Sequence, residues 1–332
     1  MNVLPRMIAP IPSRLRTAER DRGQFRNPNL QLSVNLSVVR HNVEAIAAAV
    51  GVALLPVVKA DAYGLGIKEV CDTIADLAAG FCVFQAREAI TAQLAERTGK
   101  RVLALGPPES SDPDDYIALR VTPTVCNPIQ ALQLRRARPA LCVDTGMQRF
   151  SCPPHICRET LIAGDCREAF THATQLCHVE TLMELTSEYD LERHAAASSL
   201  LHHPVARLDA VRPGLAMYRN AISISSQIVE LRDARGPAGY SGFTSPRHGV
   251  ILVGYSHGLR KGPCVINGRK SRILEVGMQS AFVEAGPEDG AGDEVVLLGE
   301  DLSEIDLAPC WNCSPHEVLT SLSFAATRHY RY

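Results

Sequence analysis

No stretch of this sequence is apolar for long enough to span a bilayer, so no membrane anchor is expected. An excess of basic charge is also missing. Thirty-four Lys and Arg stand against 36 Asp and Glu, a formal net charge of −2, which gives no footprint for nucleic acid. Cysteine lacks a framework: the 11 residues are odd in number and irregularly spaced. That pattern points to a reducing compartment, the cytoplasm, rather than a disulfide scaffold. The one C-x-x-C, Cys310 to Cys313, has no second pair or histidine pair beside it, and no metal site is expected there. Internal repeats and low-complexity tracts are absent. Residues 1–30 have no continuous apolar core of the kind a secretory signal needs. They are rich in Arg and Pro and read as a loose extension, with a transit peptide as the other reading.

What is present is enough apolar material, 46% of 332 residues, for one large domain or two ordinary ones. From residue 31 short apolar runs alternate with amphipathic stretches. LQLSVNL reads as a strand and SVVRHNVEAIAAAV as a helix capped by Ser37. LLPVVKA is a strand, IKEVCDTIADLAA a helix, FCVF a strand, and AREAITAQLAERTG a helix ending at Gly99. RVLALG and ALCVDTG are further strands. Repeated βα units imply a parallel sheet, either a barrel or a doubly wound fold. This α/β domain is expected over 31–225. Beyond it, over 226–332, short strands separated by turn residues predict a mainly β domain, with a hairpin at Asn267-Gly268.

The run LLPVVKADAYGLG ends an apolar strand on a lysine. An unpaired ammonium inside a strand would cost several kcal/mol, on the order of the penalty for any buried ion. Lys59 therefore either snorkels to solvent or sits at the strand's mouth as a reactive amine. Asp144 ends another strand, followed by Thr145, Gly146 and Arg149. In a parallel barrel the C-terminal strand ends carry the active site. A lysine there, with Ser and Gly amides able to hold a phosphate, suits pyridoxal 5'-phosphate: the amine condenses with the aldehyde and the amides take the phosphate.

VVKADAYGLG resembles the cofactor-lysine motif of the alanine racemases, V-V-K-A-N-A-Y-G-H-G. VDTGMQRF resembles their D-T-G-M-x-R segment, THATQ their T-H-F-A-T-A, RHAAAS their H-A-A-N-S, and VRPGLAMY their R-P-G-I-A-L-Y-G. GYSHGLRKG, EVGMQS, AGDEVVLLG and HEVLTSL follow in the family's order, so the likeness runs from about residue 31 to the C-terminus. It implies a (β/α)8 TIM-type barrel, a C-terminal β domain and a head-to-tail homodimer with shared active sites. It implies that Lys59 binds the cofactor covalently and serves as one acid/base. Tyr63 and His316 would lie near the phosphate and His172 on the cofactor ring. Ser198 and the amides of Gly214 and Leu215 would bind the phosphate, and Arg212 the ring nitrogen. Tyr240, from the partner subunit, would be the opposite acid/base. Arg149 and the Met278 amide would hold the substrate carboxylate, and Tyr255 would line the channel.

Departures gather around this constellation. Cys142 stands where many members carry a carbamylated lysine, His316 where they carry a tyrosine, and Ala197 where they carry Asn. Gln279 replaces an Asp, Glu275 an Arg of the channel, and His257 the Asp of G-Y-x-D-G. The expectation is a racemase of alanine or a relative. Two rivals stay open: another reaction of the same cofactor (aldol cleavage, elimination or decarboxylation), and a catalytically idle binding protein.

Overall fold

The computed structural model describes residues 26–332. Residues 1–25 of the expected extension lie outside the described residues. The chain divides into two compact units. One holds Val43–Ala60 and Ile67–Ala216; the other holds 26–42, Asp61–Gly66 and Met217–Tyr332. Among the described residues no helix is long and apolar enough to cross a membrane, and no group of three or more His, Cys, Asp and Glu is placed to hold a metal.

The first unit is a closed parallel barrel. Ala53–Leu54, Ala210–Arg212, Glu192–Ala197, Glu168–Phe170, Ala140–Cys142 and Thr124–Val125 pair in that order. Gly80–Val83, Arg101–Ala104 and Val121–Thr122 form a second run, and Pro123 alone separates Val121–Thr122 from Thr124–Val125. A proline has no N–H for the ladder, which is why one strand is broken there. The ring closes at the other side through a Val57–Cys82 bridge, with Val58 N–H donating to Cys82 O at 2.8 Å. Leu55, Val57, Cys82, Leu103, Ala140, Cys142, Phe170 and Ala210 fill the interior. This is the packed core of a TIM-type barrel.

A charged network ties together the N-terminal parts of three barrel strands, Arg101–Ala104, Glu168–Phe170 and Glu192–Ala197. Glu168 accepts from Arg101 at 2.6 Å and binds His194 Nε2 at 2.8 Å, and Arg101 also reaches Glu192 at 2.7 Å. Burial alone would raise the Glu168 carboxyl, but the His194 bond and the Arg101 charge outweigh it and bring it down to about 2. Burial likewise lowers His194 to about 4, against the opposing pull of Glu168.

The second unit is antiparallel. Ile222–Asp233, Arg247–Ile251, Ala281–Glu284, Arg269–Val276, Pro263–Ile266 and Glu294–Leu298 pair into a closed ring. Asn267 and Gly268 both have positive φ, 51° and 74°, as a two-residue type I′ hairpin requires. The strand read as LQLSVNL runs over Asn27–Asn35, starting before residue 31. It pairs with Ile222–Asp233 and Ala326–Arg331, in this second unit. The following helix, Leu36–Val50, is capped by Asn35 rather than Ser37: Asn35 Oδ1 accepts from Val38 N–H at 3.1 Å. The helix expected over AREAITAQLAERTG is two, Ala86–Ala92 and Leu94–Thr98, broken at Gln93 (φ 53°) and ending at Gly99 as read.

A buried, neutral His194 makes stability pH-dependent. The unfolded imidazole takes a proton from about pH 6.5, the folded one only near 4. The unfolded state binds more protons in between, so the thermal midpoint should fall as pH drops through that window. His194→Gln, which can still donate to Glu168, should flatten this limb; a wild-type midpoint level across it would contradict the neutral assignment.

Candidate active site

In the first unit the candidate residues follow the C-terminal ends of the barrel strands. Lys59 follows the Val57–Cys82 bridge, His172 follows Glu168–Phe170, Ser198 follows Glu192–Ala197, and Arg212 closes Ala210–Arg212. Burial lowers the Lys59 pKa, and the positive charge of Arg149 and then Arg212 pushes in the same direction, against Glu88. The amine is thus more available as a base and nucleophile than an exposed lysine. Lys59 is half-buried.

The backbone after Lys59 is unusual. Ala60, Asp61, Ala62 and Tyr63 all have φ between 53° and 61°, a left-handed turn of four residues that carry side chains. Such a conformation costs roughly 1–2 kcal/mol per residue. Hydrogen bonds fix it at both ends. Glu88 Oε1 accepts from Ala60 N–H at 2.7 Å, while Oε2 accepts from Phe84 and Gln85 at 2.7 and 3.0 Å. Within the second unit, Ser323 donates to Tyr63 O at 2.7 Å, Tyr330 to Leu65 O at 3.0 Å, and Arg328 pairs with Asp61 at 2.6 Å.

Arg212 is 3% exposed. Its Nη2 donates to the carbonyls of Thr171 and Ala195, and its Cζ lies 4.9 Å from the Phe170 ring centroid. His194 also stacks on Phe170, with centroids 5.1 Å apart and the rings nearly parallel. The Arg212 Nε–H is buried with no hydrogen-bond partner. A donor left so would cost about 1–3 kcal/mol, which calls for an acceptor such as a pyridine nitrogen. Beside it, Ser198 Oγ accepts from the amides of Gly214 at 3.1 Å and Ala216 at 3.2 Å. These convergent donors, with Leu215 between them, are suited to a phosphate. Both features fit pyridoxal phosphate.

Asp144 Oδ1 accepts from Gly146 and Gln148 amides at 2.9 and 3.0 Å and so shapes the loop that carries Arg149. Arg149 is exposed and, among the described residues, makes no hydrogen bond or ion pair. Burial pushes the Cys142 thiol up to about 12, so it is neutral and offers Arg149 no anion. His172 is exposed at its strand's mouth.

The remaining candidates belong to the second unit. Tyr63 is 5% exposed, with ring centroids 5.5 Å from Tyr218 and 5.8 Å from His316. Tyr240, Tyr255 and Met278 are all exposed. They hang on one strand end. Glu275 accepts from the Tyr240 amide, Tyr255 N–H donates to Gly277 O at 2.9 Å, and Ser256 Oγ donates to Met278 O at 2.7 Å. His257 Nδ1 accepts from Gly254 N–H at 3.1 Å and closes this turn in place of the family's Asp. Sequence reasoning missed Glu88, Phe170, Ala216 and the role of Glu275. For Glu88 a signal existed, a Glu three residues after Gln85 at a helix start.

A lysine held at the mouth of a closed α/β barrel, in a chain that ends in an antiparallel β domain, defines a two-domain barrel enzyme. Sequence profiles named "Alanine racemase, N-terminal domain" and "Alanine racemase, C-terminal domain" match residues 34–163 and 222–330. The alanine racemase of Pectobacterium atrosepticum is 29% identical over 352 residues, covering 90% of this chain and 97% of its own. That of Neisseria meningitidis serogroup C is 28% identical, covering 89% and 97%. Among solved structures, the biosynthetic alanine racemase of Pseudomonas aeruginosa superposes with a TM-score of 0.82 at 24% identity, covering 92% of this chain and 100% of its own. The Bartonella henselae alanine racemase with covalently bound pyridoxal phosphate gives 0.81 at 21% identity, again over 92% and 100%. The chain belongs to the alanine racemase family, a family of pyridoxal phosphate-dependent enzymes.

Glu88→Ala strips three backbone donors of their acceptor at once. Unfolding by denaturant should show a loss of about 1–3 kcal/mol or more, with faster amide exchange over residues 59–63. Unchanged stability would contradict the role of Glu88 in holding the turn.

Proposed function

We propose that this protein is a pyridoxal phosphate-dependent racemase of alanine or a related small amino acid, working in the cytoplasm as a homodimer with shared active sites. The observation that carries this reading is the grouping of Lys59, its pKa lowered by burial, with the unpartnered Nε–H of Arg212 and the amides around Ser198.

When bound, pyridoxal phosphate supplies an electron sink that acidifies the α-hydrogen of the substrate. Lys59 would hold the cofactor and, freed as a neutral amine by substrate, take or return the α-proton on one face. Its lowered pKa favours both tasks. Tyr240 of the partner subunit would serve the opposite face through its hydroxyl. The near-complete exposure of Tyr240, 97%, suits a side chain completed by a second copy. Arg212 would donate from Nε to the ring nitrogen; a guanidinium keeps its proton, so the ring nitrogen stays unprotonated and the sink is moderate. That favours quick return of a proton over other outcomes. Ser198, Gly214 and Leu215, with Tyr63 and His316, would bind the phosphate, and His172 would pack on the ring. Arg149 and the Met278 amide would hold the substrate carboxylate, with Tyr255 in the channel.

A second reading, another reaction on the same scaffold, is favoured by Cys142. A neutral thiol leaves the substrate-binding arginine without the anion that the resemblance places there. Incubating the purified holoprotein with each common L-amino acid in D₂O separates the readings. Racemisation gives α-deuterated product of both hands and unchanged side-chain mass. A product of altered mass supports the second reading, and the absence of α-deuteration in every amino acid overturns both. Lys59→Ala should abolish exchange for both enantiomers. Tyr240→Phe should slow exchange of one enantiomer by about 10²–10⁴-fold and spare the other; equal, undiminished exchange would clear Tyr240 of the role.

A further inference from the structure

Tyr240 sits at the tip of a short loop, 238–243, whose backbone is held from beneath by one carboxylate. Glu275 Oε1 accepts from the Tyr240 N–H at 2.8 Å and Oε2 from the Ser241 N–H at 2.6 Å. Glu275 lies on the strand Arg269–Val276 where its pairing with Ala281–Glu284 shifts register between Ile273 and Glu275. Such irregularities re-aim a side chain. The residue is 5% exposed although it faces a surface loop.

The loop is built around this contact. Ala238 N–H donates to Phe243 O at 2.9 Å and closes its base. Phe243 packs on Phe282 and His248, with centroids 5.1 and 5.4 Å apart. Gly239 has φ +68°, and a Cβ there would lie 2.6 Å from Glu275 Oε1. Only glycine satisfies both the backbone angle and the close approach. The Ser241 hydroxyl, the two amides and the charge of Lys261 hold the Glu275 carboxyl below the usual carboxylate range, so both oxygens remain acceptors at neutral pH.

We propose that Glu275 is a positioning residue for Tyr240: its carboxylate fixes the backbone from which the phenol reaches into the partner's site. This rests on the racemase reading and adds a specific job to a position that the motif resemblance marks only as a departure. A flexible loop would leave the phenol populating many orientations, and misplacement by about 1 Å can cost on the order of 10²-fold in rate.

The test uses the full-length holoprotein and the variants Glu275→Gln and Gly239→Ala. Glutamine keeps the shape but offers one oxygen and turns an NH₂ donor against a backbone N–H. Amide hydrogen exchange over 238–243 should speed up about tenfold or more in Glu275→Gln. α-Deuterium exchange should fall about 10- to 100-fold for the one enantiomer that Tyr240→Phe also slows. It should stay within about twofold for the other, with the visible absorbance of the lysine-bound cofactor retained. Gly239→Ala should reproduce this one-handed loss from the other side of the contact. Amide exchange unchanged in Glu275→Gln overturns the proposal, as does a loss shared equally by both enantiomers or shown by neither. A wild-type protein that exchanges no amino acid overturns the racemase reading and the proposal together, whereas a two-handed loss in an active protein overturns the proposal alone.

Discussion

Lys59 carries an amine into a place where positive charge is expensive. Burial disfavours its ammonium form, and two guanidiniums, Arg149 and Arg212, disfavour it further. Much of the barrel's mouth can be understood as the arrangement that keeps it there. The closing bridge at Val57–Cys82 fixes the strand before it, and Glu88 fixes the residue after it by accepting from Ala60. The left-handed turn that follows is strained, yet it is tied down by side chains from several elements, as strained segments beside functional sites tend to be. A lysine that could relax toward solvent would regain an ordinary pKa and lose its use as a base.

The arginine that faces the proposed ring nitrogen shows the same economy. Arg212 is buried without a carboxylate beside it, supported by two carbonyls and the face of Phe170, which in turn stacks on His194. The ionic groups act elsewhere: Glu168 binds His194 and Arg101 rather than Arg212. The guanidinium is left with one donor unspent, and that donor is what an acceptor ligand would satisfy. Stability and binding thus share a single column of side chains through the barrel interior.

The parts of this site that depend on residue type within a short run were legible in the sequence. A lysine ending an apolar strand, Asp144 beginning a glycine turn, and Arg212 before Pro213-Gly214 each stand out because few other residues could do those jobs. The hairpin at Asn267-Gly268 was legible for the same reason. What escaped was non-local or off by two residues. Asn35 and Ser37 are both good capping residues, and only the helix start decides between them. Nothing in Ala60, Asp61, Ala62 and Tyr63 announces a left-handed turn, because distant side chains impose it. The strand Asn27–Asn35 reads like the opening of the barrel, yet its partners lie nearly 200 and 300 residues onward, in pairings that no local pattern encodes. Glu275 looked like the loss of an arginine until its 34- and 35-residue-distant partners were in view.

The central claim is that the ε-nitrogen of Lys59 is the covalent anchor of pyridoxal phosphate. Reducing the cofactor-supplemented protein with borohydride, digesting it and sequencing the peptides by mass spectrometry tests this directly. The account predicts one pyridoxyl adduct, on the peptide bearing Lys59. An adduct on another lysine, or none at all, would contradict it.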